Sequence, residues 1–135
     1  MSGKEKTREM EKKVITTKKA ALPVGPYSQG IQIGNLIFVA GEKGLDPRTN
    51  KIVEGGVAAE TRQTLENIKA ILEAAGAKME NVFRTVVYLT DIGKFAEMNA
   101  VYAGYFPKDP PGRTCVQVVA LPAGAHVEIE ASAAL

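Results

Sequence analysis

Residues Asn81 to Phe106 read NVFRTVVYLTDIGKFAEMNAVYAGYF, and a change of period inside this stretch decides the fold. Asn81 to Thr90 is dense in β-branched and aromatic residues, which suit a pleated, half-buried surface, so it predicts a long strand. Asp91 is a helix-capping residue type. Beyond it Phe95, Met98, Val101, Tyr102 and Tyr105 recur three or four apart, one stripe of a helix that Pro107 ends.

Working outward, Val57, Thr61, Leu65, Ile68, Leu72 and Ala75 mark an earlier helix that Gly76 stops, with Glu60, Arg62, Glu66, Lys69 and Glu73 expected to face away from the core. Before it, Val14 to Thr17 predicts a short strand running into an extended loop, Ala20 to Gly25, with Pro26 and Tyr27 at its end. Ile31 to Ile33 and Leu36 to Ala40 flank Gly34 and Asn35, the break of a hairpin, and Gly41, Gly44, Pro47 and Asn50 mark a turn-rich excursion. Two closing strands, Arg113 to Ala120 and His126 to Ala133, are joined by a turn at Leu121 to Gly124. The order β, β, β, α, β, α, β, β predicts an α+β domain with helices on one face of a mixed sheet. The face left bare predicts self-association.

Composition narrows the function classes. A chain of 135 residues suits one domain, and 17 basic against 15 acidic residues leave no concentrated field for a polyanion. Cys115 is the single cysteine, so no intrachain disulfide is possible, and no apolar run approaches membrane-spanning length. A soluble, cytoplasmic protein is expected. Lys4, Lys6, Arg8, Lys12 and Lys13 interleave with Glu5, Glu9 and Glu11, unlike a signal or transit peptide, so residues 1–13 are expected to be a charged, solvated extension and 14–135 the domain.

Strand period puts Arg113, Cys115 and Gln117 on one face, and Glu128, Glu130 and Ser132 on one face of the last strand. If those faces look into a cleft, Arg113 offers a planar fork for a carboxylate, and Glu128 or Glu130 can handle a proton or hold water. An ordinary Arg and Glu pairing at a subunit interface fits the same spacing. Cys115 reads as a small buried hydrophobe. His126 with one cysteine gives no metal-ligand spacing, and Gly41 and Gly44 make no phosphate loop, so neither metal nor cofactor is expected. Tyr27 either points its hydroxyl into a cleft or packs beside Pro26.

GPYSQG (Gly25 to Gly30), AGEKGLDP (Ala40 to Pro47), DIGKFAEMNAVYAGYF (Asp91 to Phe106), PPGRTCVQVVALP (Pro110 to Pro122) and VEIEA (Val127 to Ala131) together resemble the RidA, or reactive intermediate deaminase A, family from about Val14 to the C-terminus. The resemblance implies a chorismate-mutase-like domain, a mixed sheet backed by two helices, assembled as a homotrimer with a cleft at each subunit boundary. It implies 2-iminobutanoate/2-iminopropanoate deaminase activity: reactive enamines and imines from pyridoxal-phosphate enzymes are hydrolysed to 2-keto acids and ammonia, without a cofactor. By the same resemblance Arg113 binds the substrate carboxylate, Glu128 holds the hydrolytic water, the Cys115 carbonyl orients it, and Tyr27, Ala40, Gly41 and Asn99 line the site. Many members carry Ser-Gly-Gln where this chain has Ala40, Gly41 and Glu42, and an apolar residue where it has Lys43. The missing hydroxyl at Ala40 leaves room for a non-catalytic trimer that binds small carboxylates or acts as a chaperone. Some members are described as RNA-cleaving translation inhibitors, a reading that one histidine and 6% aromatic residues oppose. The deaminase reading requires Arg113 and Glu128 to converge on one pocket.

Overall fold

The computed structural model describes residues 11–135. Most of the charged segment expected over 1–13 lies outside them, and Lys13 already opens a strand. The strands are β1 (Lys13–Ile15), β2 (Gly30–Ile33), β3 (Leu36–Lys43), β4 (Val82–Leu89), β5 (Gly112–Gln117) and β6 (Val127–Ala134), and the helices α1 (Gly56–Ala74) and α2 (Phe95–Tyr105). They form one six-stranded sheet in the order β1-β2-β3-β6-β4-β5. Every neighbouring pair is antiparallel except β4 and β5, whose parallel pairing uses α2 as the long crossover that such a pair needs.

The predicted order of elements is the observed one, and local chemistry explains its breaks. Gly34 takes φ 58° between Ile33 and Leu36, which pair across a two-residue hairpin loop. At the end of α1 the Ala77 N–H donates to the Leu72 carbonyl at 2.9 Å and the Gly76 N–H to Glu73 at 3.0 Å, a Schellman closure with Gly76 at φ 80°. Asp91 accepts from the Gly93 N–H at 2.8 Å and so caps the short turn Ile92–Lys94 that leads into α2.

Alternation along β6 sorts the two faces of the sheet. Val127, Ile129, Ala131 and Ala133 are buried under the helices with Val87, Leu89, Ile37 and Val39, where Leu65, Ile68, Ile71 and Leu72 of α1 and Met98 of α2 meet them. The opposite face carries Glu128, Glu130 and Ser132 together with Val14, Leu36, Phe38 and Val116, all four of them exposed. This is the bare face that the element order predicts.

Four expectations are corrected. Glu60 does not face outward: it is 1% exposed, held under the start of β6 by two hydrogen bonds to His126. β3 does not stop at Ala40; it runs through Gly41 to Lys43 with a bulge between Val39 and Glu42, because the bulge absorbs the irregularity that glycine otherwise signals as a turn. β5 ends at Gln117, not Ala120. In α2 only Met98 and Tyr102 of the stripe are buried, while Phe95, the first residue of the helix, is exposed.

Candidate active site

Arg113 projects from β5 on the helix side of the sheet. Its guanidinium carbon lies 4.7 Å from the centroid of the Tyr102 ring and 5.4 Å from that of Phe95, with Nη1 3.9 Å from Met98 Sδ. Tyr102 is fixed by a 2.6 Å hydrogen bond between its hydroxyl and Thr85 Oγ1, and burial raises its phenol more than Thr85 and Arg113 lower it, so the ring stays neutral beneath the cation. Among the described residues no carboxylate lies within 4.0 Å of this half-buried guanidinium. Arg113 closes one end of an open groove of about 460 Å³ that Asn99, Phe106, Pro110 and Pro111 also line.

Cys115 stands two residues along β5 on the same face, half-buried against the core. Burial raises its thiol, Arg113 offsetting this only in part, so the side chain is no thiolate nucleophile at neutral pH. Gln117 leaves the groove altogether, accepting from the Ile92 N–H at 2.8 Å.

Glu128 sits in a second cluster. Its Oε1 is 3.6 Å from Lys43 Nζ, and Lys43, with 5% of its side chain exposed, also donates to the Gly41 carbonyl at 3.2 Å. The ammonium stands 5.7 Å from the centroid of the Tyr27 ring. The Tyr27 hydroxyl accepts from the Val24 N–H at 3.2 Å, which ties the ring to its own loop. Gln29 ties that loop down, accepting from the Thr17 N–H at 2.7 Å and donating to the Ala21 carbonyl at 2.8 Å, while its own carbonyl takes the Ala40 N–H at 2.9 Å. Glu42, beside Lys43, is buried, and that burial pushes its carboxyl up to about 8; Lys43 lowers it and Glu128 raises it further.

Glycine at position 41 leaves room for the Glu128 carboxylate. A Cβ there would lie 2.5 Å from Glu128 Oε2. Gly41→Ala is therefore expected to push the carboxylate away from Lys43 at a cost of roughly 1–2 kcal/mol, read as a lower midpoint of urea unfolding. An unchanged midpoint with an unmoved carboxylate would count against this account.

Within one chain the two clusters do not meet. Parallel pairing sets Arg113 beside Thr85, and antiparallel pairing sets Glu128 beside Tyr88. Thr85 and Tyr88 are separated by an odd number of positions on β4, so Arg113 and Glu128 emerge on opposite faces of the sheet. Arg113, Cys115 and Asn99 are thus brought to the helix side, and Glu128, Gly41, Lys43 and Tyr27 to the other cluster. Tyr102 and Phe95 went unrecognised as site residues because a helical stripe of aromatic residues reads as core; their position before an arginine-bearing edge strand was the available signal.

A family model described as endoribonuclease L-PSP matches residues 17–135. The crystal structure of RidA from the Antarctic bacterium Psychrobacter sp. superimposes with a TM-score of 0.89 at 42% identity, covering 91% of this chain and 99% of that one. The chain belongs to the RidA family. A RutC family protein of Pyrococcus abyssi is 50% identical over 124 residues, 92% of this chain and 98% of that protein. A mouse protein named 2-iminobutanoate/2-iminopropanoate deaminase is 46% identical over 122 residues, 90% of each chain. The six-stranded mixed sheet with two helices is thus a RidA architecture. Among the described residues no helix is long and apolar enough to cross a membrane, and no group of three or more His, Cys, Asp or Glu residues could hold a metal ion.

Proposed function

We propose that this chain is a deaminase that hydrolyses small 2-imino acids, and their enamine tautomers, to 2-keto acids and ammonia, at sites each built from two copies within a homotrimer. The observation that carries the reading is the guanidinium of Arg113, half-buried on aromatic rings without a carboxylate partner among the described residues. Such a group is poorly placed unless an anion comes to it from outside, and a bidentate carboxylate matches its fork. The name of the mouse relative supports the same chemistry. A cytoplasmic location suits it, since a single cysteine is at ease in a reducing compartment.

The opposite-face geometry supplies the reason for two copies. β5 is an edge strand, so Arg113 stands at the border of the sheet, and the apolar open face beside Glu128 gives a second copy a surface to cover. One copy then contributes Arg113, Asn99 and Cys115, the other Glu128, Tyr27, Ala40, Gly41 and Lys43.

With the carboxylate held by Arg113, the imine carbon faces a water placed by Glu128 and by the Cys115 carbonyl; alternate backbone groups of an edge strand are free for such a use. Water oxygen bonds to the carbon as the C=N π pair moves onto nitrogen, and the water's proton passes to Glu128. That proton passes from Glu128 to nitrogen, giving the neutral carbinolamine; the C–N bond then breaks as the hydroxyl proton, relayed through Glu128, goes to the departing nitrogen, so that the keto C=O and ammonia form together. No cofactor enters the sequence.

The test is a coupled assay in which a pyridoxal-phosphate dehydratase generates the imine in place and release of pyruvate or 2-ketobutyrate is followed against the spontaneous rate. Acceleration is expected. Binding of 2-ketobutyrate without acceleration would leave a carboxylate-binding module instead, and degradation of RNA by nuclease-free protein would favour the ribonuclease reading. Glu128→Gln keeps the shape and loses the base, so ligand binding is expected to persist while turnover falls by roughly 10²-fold or more. Survival of turnover would assign water activation to another group.

A further inference from the structure

The deaminase reading gives Lys43 no task, yet Lys43 is an almost fully enclosed ammonium in contact with the proposed water-holding carboxylate. Burying such a charge is expensive unless it is paired, and its contacts are few and specific: Glu128 Oε1 at 3.6 Å, the Gly41 carbonyl at 3.2 Å and the face of Tyr27 at 5.7 Å. All three are groups the reading already places in the site. One of them, the Gly41 carbonyl, belongs to the bulge whose missing side chain lets Glu128 Oε2 lie against the backbone.

Resting on the deaminase reading above, we infer that Lys43 is a positioning residue: it clamps Oε1 of Glu128 while Gly41 makes room for Oε2, so that one carboxylate oxygen is presented to the hydrolytic water in a fixed pose. The bulge in β3 lies at this point, where the Lys43 ammonium meets both the Gly41 carbonyl and the Glu128 carboxylate. A carboxylate so held loses no time to other rotamers. Around Glu128 the remaining ionisable groups are Glu42 on β3, Tyr88 on β4 and Glu130 on β6, with Tyr88 bonded to Glu130; His126, two residues away, is turned onto Glu60. Lys43 is the one cation among them in contact with Glu128.

The experiment compares Lys43→Met, which fills the same volume without charge, with Lys43→Arg, which keeps it. In the imine assay Lys43→Met is expected to lower kcat roughly tenfold with KM within about twofold, and Lys43→Arg to recover most of it. Independently of activity, a crystal structure of Lys43→Met is expected to show the Glu128 carboxylate swung away from Gly41, and that of Lys43→Arg to keep it there. A loss that is absent or carried by KM overturns the inference, as does an unmoved carboxylate in Lys43→Met. A wild-type protein without imine hydrolysis sinks the deaminase reading instead, and the crystallographic comparison then decides the positioning role alone.

Discussion

Arg113→Ala is expected to lower kcat/KM for imine hydrolysis by 10²- to 10⁴-fold, roughly 3–5 kcal/mol of transition-state stabilisation, while the protein stays folded. The size follows from what the side chain touches. Its donors face a groove, its flat surfaces rest on Tyr102 and Phe95, and none of its contacts closes a buried ion pair among the described residues. Truncation therefore removes an anion seat and some ring packing without stranding a partner charge. Arg113→Lys should recover little, since a point charge cannot reproduce the fork or lie flat on the rings. Steady-state kinetics of both variants, with thermal unfolding as the control, make the comparison; an alanine variant that turns over like the wild type would remove Arg113 from the site.

The second large effect is on stability. Glu42 is 4% exposed and its carboxyl is pushed up to about 8, first by burial and then by Glu128, against the opposing pull of Lys43. In the unfolded chain the same group titrates near 4.5. Between these values the folded protein keeps a proton that the unfolded chain has released, so raising the pH draws the equilibrium toward unfolding. The stability that the neutral carboxyl allows is complete below pH 4.5, declines as pH rises, and levels off above 8. Glu42→Gln is neutral throughout, so its advantage over the wild type should be small at pH 4.5 and reach roughly 3–5 kcal/mol at pH 9, an order-of-magnitude figure. Urea unfolding at several pH values reads the difference directly, and two parallel stability curves would show that Glu42 is not held neutral by the fold.

The site was legible in the sequence to different depths. The PPGR and VEIEA segments pointed to Arg113 and Glu128, and the family membership is as the motifs implied. Glu60 was misread because helical period counts a glutamate as solvent-facing; only the arrival of the His126 backbone and ring over the first turns of α1 makes a buried carboxylate tolerable there. The bulge at Gly41 was likewise invisible, since glycine signals a turn equally well, and so was the Lys43 clamp beside it.

By itself the sequence determined the order of strands and helices, the residues that share a face within β5 and β6, and the end of α1 at Gly76, because period and local backbone chemistry are properties of neighbouring residues. Which face of the sheet each strand presents was decided only by tertiary structure. Parallel pairing of β5 and antiparallel pairing of β6 on the two sides of β4 send Arg113 and Glu128 to opposite faces, and that depends on register between segments far apart in the chain, where local period carries no information.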